Sequence, residues 1–272
     1  MHNFSASPRE MIAAPWRHRA LVAALVRREV SGRYRGSMLG VLWSFVLPVL
    51  MLGVYTFVFS FVFRARWIPA SDSKAEFALV LFAGLLVFNL FAECINRSPG
   101  LVLANANYVK KVIFPLEILP VVALGSAFFH MLVSLLAWCL FHLALFGLVP
   151  PSALLLPVVL LPFMLLTLGL SWFLAATGVY LRDVAQITSV FVSTLLFMSP
   201  VFFPLSAIPE PYRTLLMFNP LSPAIEMTRD VLVWSKAPDW SLLGMYYALA
   251  LAVACAGFAW FQKTRKGFAD VI

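Results

Sequence analysis

The sequence has little charge and few groups that could carry out chemistry. Lys, Arg, Asp and Glu make up 12% of the 272 residues, whereas soluble domains carry about 25%. No GxxxxGK[ST] segment occurs, so the chain lacks a P-loop for ATP. No Ser-His-Asp or paired-carboxylate constellation stands out, and His130 and His142 do not share a helical face. We therefore expect neither an ATPase nor any other enzyme.

Cysteine is also scarce. The three cysteines, Cys94, Cys139 and Cys255, lie far apart in apolar stretches. Their spacing forms neither a CxxC pair nor a metal-ligand pattern, so we interpret them as small apolar residues and expect no metal site.

Apolar residues dominate what is present. They account for 62% of the chain, and the mean hydropathy is +0.92, which favours lipid as the solvent. The fold class expected is all-α and integral to the membrane, with Pro48 kinking the first span and a break at 147–152 dividing a long uncharged stretch. The six expected spans are 38–63, 77–95, 118–148, 152–181, 184–203 and 242–261.

The positive charges predict the orientation. With six spans, the side that holds both termini receives fourteen of the 20 Lys and Arg residues, and the other side receives six. This asymmetry predicts cytoplasmic termini, and it explains the net charge of +8 without any nucleic-acid partner. Residues 1–37 form an Arg-rich cytoplasmic segment without the apolar core of a signal peptide, and 38–272 form the transmembrane domain.

The segment 16–34 is amphipathic. Its apolar face consists of Val22, Leu25, Val26 and Val30, and Arg17, Arg27 and Arg28 lie roughly opposite. This pattern is typical of a helix in the cytoplasmic interface. Such a helix is either a plain anchor or an element that passes force from a cytoplasmic partner into the first span.

Gly32, Gly36 and Gly40 follow at a spacing of four residues. On one helix they would form a smooth stripe that permits close packing. They also straddle the change from interfacial helix to span, so a bend is the second interpretation.

Two cytoplasmic segments are candidate docking surfaces. The loop 96–114 carries Arg97, Lys110 and Lys111 before Pro115, and it has room for a short helix parallel to the membrane. Arg182 and Asp183 form an adjacent pair of opposite charges at the end of the fourth span. Each segment could instead be structural, as an inert connection or as a helix cap.

On the outer side, the stretch 205–239 is too apolar for free solution. The residues around Asn219 break it into two short, partly helical pieces, which we expect to be re-entrant and shielded by protein. A gate or plug is one interpretation, and a simple packed loop is the other. The 25 Phe, 8 Trp and 7 Tyr residues suit either interfacial belts or walls that stack against sugar rings.

Several segments together carry a family resemblance. They are LVRREVSGRYRGSMLGVLW at 25–43 with Pro48 and VYTFVFS at 54–60, KKVIFPLEILP at 110–120, YLRDV at 180–184, PV at 200–201 with FNPLSP at 218–223, and FADVI at 268–272. In this order and spacing, the chain resembles the membrane subunit of type-2 ABC exporters of lipid-linked polysaccharides such as O-antigen, capsule and teichoic acid.

The resemblance implies a homodimer of six-span subunits in the bacterial inner membrane, joined to two cytoplasmic ATPase subunits that bind ATP and Mg. It implies a gate helix in 16–34, a coupling helix in 96–114, two short outer gate helices around Asn219, and an aromatic-lined channel between the subunits. The ATPase-docking candidates are Arg97, Asn107, Tyr108, Lys110, Lys111, Arg182 and Asp183. The gate-helix and hinge candidates are Arg27, Arg28, Arg33, Tyr34, Gly36 and Gly40. The channel and outer-gate candidates are Trp43, Tyr55, Phe57, Phe59, Phe218, Asn219, Pro220 and Pro223.

The function expected is that of a permease that moves a lipid-linked polysaccharide, with O-antigen preferred, from the cytoplasmic side through the homodimer. An exporter of drugs or simple lipids with the same fold is the first alternative. A membrane-embedded transferase is the second, and it would need clustered polar catalytic groups near a membrane face.

Overall fold

The computed structural model describes residues 6–58, 67, 73–111 and 114–272, and none of these residues forms a strand. The α-helices of this part are α1 (Pro8–Arg17), α2 (Arg19–Arg33), α3 (Trp43–Thr56), α4 (Lys74–Arg97), α5 (Ala106–Lys111), α6 (Leu119–Phe146), α7 (Leu156–Tyr180), α8 (Val184–Phe197), α9 (Glu210–Met217), α10 (Leu221–Leu232), α11 (Trp240–Thr264) and α12 (Phe268–Val271).

Local signals in the sequence fix several helix ends. The side chain of Ser73 accepts a hydrogen bond from the backbone N–H of Glu76 at the start of α4, and Asp239 accepts two such bonds at the start of α11. Both are N-caps that satisfy donors which the first helical turn leaves free. Gly147 ends α6 with a φ of +86°, a conformation that glycine adopts at little cost.

Four apolar stretches of the described residues are long enough to cross a membrane, and two shorter apolar helices, Trp43–Thr56 and Val184–Phe197, accompany them. The four stretches are Lys74–Gly100, Leu116–Phe146, Pro151–Tyr180 and Trp240–Val271. These six apolar elements lie within or around the six spans expected from the sequence, but their first and last residues differ from the expected ones. The first helix begins at Trp43 rather than at 38, and the fifth ends at Phe197 rather than at 203. A crossing by each of the six stays a prediction, because the 14 residues of α8 rise only about 21 Å, which is less than the roughly 30 Å of a bilayer core.

Helix α4 forms the centre of the bundle. Of its described residues between Phe77 and Ile95, nearly all are buried, and Asn89 is the exposed exception. Trp138 of α6 donates its indole N–H to the carbonyl of Leu79 at 2.9 Å. A fully buried indole thus ties α6 to α4 and leaves no polar atom unpaired on that ring.

Helices α7 and α11 pack so closely that their backbones are in contact. A Cβ atom on Gly169 would lie 2.6 Å from the Cα of Ala254, and one on Gly257 would lie 2.0 Å from the carbonyl oxygen of Gly169. Such contacts require glycine on both helices, as in small-residue packing of membrane helices.

Both termini lie at the same end of the bundle, which we call the terminal end. Met11 of α1 is buried in one cluster with Leu101 and Phe268. Arg265 contacts Glu117 at 2.5 Å, and the Tyr180 hydroxyl donates to the carbonyl of Thr264 at 2.6 Å. The opposite end, here the far end, carries α9, α10 and the 147–155 connection.

The packing of α7 on α11 gives a first test. Gly257→Ala should lower the melting temperature of the purified protein, because overpacking of a tight contact costs about 1–3 kcal/mol. Gly244→Ala, on the same helix, is the matched control, since no atom lies within 4 Å of its added Cβ. Thermal unfolding in detergent should separate the two variants, and equal melting temperatures would contradict the close approach.

Candidate functional site

The apolar face of α2 packs along the first half of α6. Leu25 is buried against Ile118 and Val122, and a Cβ atom on Gly125 would lie 2.7 Å from Cγ2 of Val26. The expected apolar face of this segment therefore contacts the bundle. The expectation of one helix over 16–34 was wrong at its start, because the backbone breaks at His18 and Trp16 and Arg17 belong to α1.

Four charges connect α2 to α4. Arg97 contacts Glu29 at 2.5 Å, and Arg33 forms an ion pair with Glu93. Nδ1 of His130 on α6 lies 3.0 Å from Oε2 of Glu93. We call Glu29, Arg33, Glu93 and Arg97 the charge ladder. The two carboxylates are mostly buried, with side-chain exposures of 16% for Glu93 and 27% for Glu29, and a buried charge is costly unless it is paired.

A cavity of about 150 Å³ lies beside the charge ladder, between α3, α4 and α6. Its polar lining comes from Arg33, Tyr34, Ser44, Asn89, Glu93, His130 and Ser134. Tyr34 meets the edge of the His130 ring at 6.0 Å between centroids, and burial raises the pKa of the Tyr34 hydroxyl above its ordinary value. The exposed Asn89 is explained by this cavity, since its amide faces room for water rather than a packed neighbour.

The connection from α4 to α6 forms a short surface element at the terminal end. Two three-residue turns, Ser98–Gly100 and Leu103–Asn105, lead into α5. The ring of Tyr108 stacks on Phe114 with 4.4 Å between centroids, and its hydroxyl accepts a bond from Arg28 at 3.4 Å. The segment therefore touches α2 directly, and Arg265 holds its other side through the carbonyl of Phe114.

At the far end, α10 inserts between α4 and α7, and the turn before it is fastened by Asn219. The Asn219 amide donates to the carbonyl of Met198 at 3.0 Å and to Oγ of Ser199 at 2.8 Å. Its Oδ1 accepts the backbone N–H of Leu221. The neighbouring Phe218 is 82% exposed.

Comparison with known proteins agrees with this architecture. The family model described as ABC-2 type transporter matches residues 20–233. The chain belongs to the ABC-2 type transporter family. It is 31% identical over 260 residues to the O-antigen export system permease protein RfbA of Myxococcus xanthus, covering 94% of this chain and 97% of that protein.

Two further relatives match nearly end to end. An O-antigen export system permease protein RfbA of Klebsiella pneumoniae is 24% identical over 93% of this chain and 95% of its own length. The polysialic acid transport protein KpsM of Escherichia coli is 26% identical over 86% of this chain and 91% of its own length. The family resemblance read from the sequence is thereby confirmed.

The expected glycine stripe is wrong for this ABC-2 permease. Gly36 has a φ of +83° and Gly40 a φ of +53°, and both lie beyond the end of α2 at Arg33. No atom of the described chain lies within 4 Å of a Cβ built on either residue. The glycines therefore shape the turn between α2 and α3, which is the bend interpretation, rather than a packing surface.

Of the two interpretations of Arg182 and Asp183, the structure does not show the helix cap. Both residues are described and exposed between α7 and α8, and no ion pair joins them. Asp183 occupies the N-cap position of α8, but its side chain caps no backbone N–H. Both charges therefore face outward at the terminal end.

The remaining candidates fall into two groups. Arg97, Arg28 and Tyr108 contact partners within the permease, whereas Asn107 and Arg27 are exposed, and the side chains of Lys110 and Lys111 lie outside the described part. Among the channel candidates, Tyr55 packs on Phe202 at 5.5 Å and Phe57 is exposed. Trp43 and Pro223 are half-buried, Pro220 accepts a bond from Tyr246, and Phe59 lies outside the described residues.

Sequence reasoning missed Arg229, which it had assigned to an outer loop. The guanidinium is fully buried and donates to the carbonyls of Val80, Pro200 and Val201, with Glu226 as its ion pair at 2.9 Å. It also stacks over Trp67 at 4.2 Å. The sequence signal was available: the apolar neighbours of Arg229 recur at helical spacing, which places the residue on a buried face.

The turn between α2 and α3 provides a second test. Gly36→Val should impair transport, since a β-branched residue at positive φ costs about 1–2 kcal/mol and reshapes the turn. Gly32→Val is the matched control, because Gly32 is helical and has no atom within 4 Å of its Cβ. Transport and protein level should be measured together, and equal transport by both variants would argue against a required turn.

Proposed function

We propose that this permease moves a lipid-linked polysaccharide of the O-antigen class out of the cytoplasm as a homodimer with two ATPase subunits. The observation that carries the proposal is the end-to-end similarity to O-antigen export permeases, including 97% of the Myxococcus xanthus protein.

The absence of a P-loop supports a separate source of energy. The terminal end offers the surface for it, since α5, Arg182 and Asp183 lie there together with both termini. The excess of Lys and Arg on this end supports its placement in the cytoplasm of a bacterial inner membrane. ATP and Mg would then be bound by the partner subunit.

Export of an acidic capsular polysaccharide is the second candidate. It is favoured by the similarity to the polysialic acid transport proteins of Escherichia coli. The two candidates share the mechanism and differ in the sugar chain that enters the path.

Deletion of the coding sequence from the producing strain provides the direct test. We expect the polysaccharide to disappear from the cell surface and to accumulate inside, because a glycan cannot cross hydrocarbon without a polar path. Restoring the permease should restore the surface polysaccharide. An unchanged surface polysaccharide in the deletion strain would reject the proposed substrate, and the sugar composition of the retained chain separates O-antigen from capsule.

Docking of the ATPase subunit on α5 can be tested by reversing the charge of two α5 lysines. The double variant Lys110→Glu/Lys111→Glu should retain less of the ATPase subunit during co-purification, since reversed charges at a contact cost several kcal/mol. Lys236→Glu, exposed at the far end, is the control and should retain the ATPase fully. If the double variant co-purifies with the ATPase in wild-type ratio, α5 is not the docking element.

The dimer can be tested at the outer turn. Phe218→Cys should form a disulfide with a second copy of the chain in oxidised membranes, because symmetry brings one residue near its own copy when it lies close to a two-fold axis. Leu148→Cys, which is 88% exposed at the same end, is the control for random collision. Equal yields of dimer from the two variants would contradict a shared outer gate at residue 218.

A further inference from the structure

We propose that the charge ladder is a register lock, which fixes the axial position of α2 against α4 and opposes a slide of α2 along the bundle. Its role in export rests on the proposed function, but its geometry does not. Glu29 and Arg33 lie one helical turn apart on α2, and Glu93 and Arg97 lie one turn apart on α4.

The order of the charges creates the lock. The two helices run in opposite directions, so Glu29 meets Arg97 and Arg33 meets Glu93. A slide of one turn, about 5.4 Å, would place Glu29 opposite Glu93 in one direction and Arg33 opposite Arg97 in the other. Both slipped positions put like charges together, so the observed register is the one with two attractive pairs.

Burial of the two carboxylates makes their ion pairs energetically important. Glu93 is 16% exposed and Glu29 is 27% exposed, so both carboxylates are mostly removed from water. His130 contributes one further contact to Glu93, and Arg97 lies 3.7 Å from it along α4. The arginines are more exposed, at 52% for Arg33 and 36% for Arg97, so the cost of like charges is largest in the slipped position that places Glu29 opposite Glu93.

The ladder lies beside an apolar contact between α2 and α6. The described core of the contact between α2 and α6 consists of Leu25, Ile118 and Val122, with Val26 lying over Gly125. The ladder adds to this contact a fixed order of charges, which opposes axial slip.

The lock can be tested by exchanging the Glu and the Arg within one helix, which changes the order of the charges but not the residues that the helix contains. Glu29→Arg/Arg33→Glu changes only the order of charges on α2, and Glu93→Arg/Arg97→Glu does the same on α4. Each swap alone sets like charges opposite each other in the native register. The fourfold variant restores both attractive pairs and is the matched control, since it contains all four substitutions.

A disulfide reports the register independently of transport. Val26→Cys/Gly125→Cys places two Cβ atoms about 3.8 Å apart, within the range that a disulfide requires. Cys94, Cys139 and Cys255 are replaced by Ala in this background. Cross-linking is followed in the purified complex with its ATPase after addition of an oxidant.

We expect each single-helix swap to slow the cross-link about tenfold, the ratio that corresponds to about 1.4 kcal/mol, and the fourfold variant to regain the parent rate. Single-helix swaps that cross-link at the parent rate, or a fourfold variant as slow as they are, would overturn the lock. If a swap does not accumulate, Glu29→Gln/Arg33→Gln is measured instead, and a parent rate there has the same meaning.

Export measured on the same variants separates this inference from the proposed function. Loss of export by each single-helix swap with recovery in the fourfold variant supports the lock as a positioning device for transport. If cross-linking follows the ladder while deletion of the permease leaves the surface polysaccharide intact, the lock stands and the substrate proposal fails.

Discussion

A charge that is removed from water inside an apolar bundle must find its partner within the protein. This permease meets that constraint at three joints: Arg229 at the far end, the charge ladder between α2 and α4, and Arg265, which pairs with Glu117 and donates to the carbonyl of Phe114. Each joint fastens segments that are distant in the chain. Apolar packing brings the helices together, but these polar contacts decide which turn lies beside which.

Arg229 shows how such a joint permits an irregular backbone. Helix α8 stops at Phe197, and the carbonyls of Pro200 and Val201 that follow have no helical partner. The guanidinium supplies the donors, and Gly84 of α4 leaves the necessary space, since a Cβ there would lie 2.6 Å from Nη2. A re-entrant element needs shielding of this kind within a membrane protein, so one buried arginine explains both the broken helix and the insertion of α10.

The sequence predicted the features that depend on runs of apolar residues and on local breaks. These include the all-helical class, the places of the apolar helices and the two short helices around Asn219. It did not predict contacts between distant residues, such as Arg33 with Glu93, because no local pattern encodes them. The spacing of Gly32, Gly36 and Gly40 was misleading for a related reason: a spacing of four implies a shared face only while the backbone stays helical, and α2 ends at Arg33.

The course of α2 explains where α3 begins. Contacts of α2 progress from Ile118, just before α6, at Leu25 to His130 of α6 at Arg33, so α2 rises beside α6 by about two turns between these residues. Trp43 and Ser44 line the same cavity as Glu93 and His130, which places the start of α3 at that level rather than at the terminal end. Because Arg28 contacts Tyr108 of the connection between α4 and α6, a continuous path of contacts and backbone leads from that connection through α2 and the glycine turn to α3.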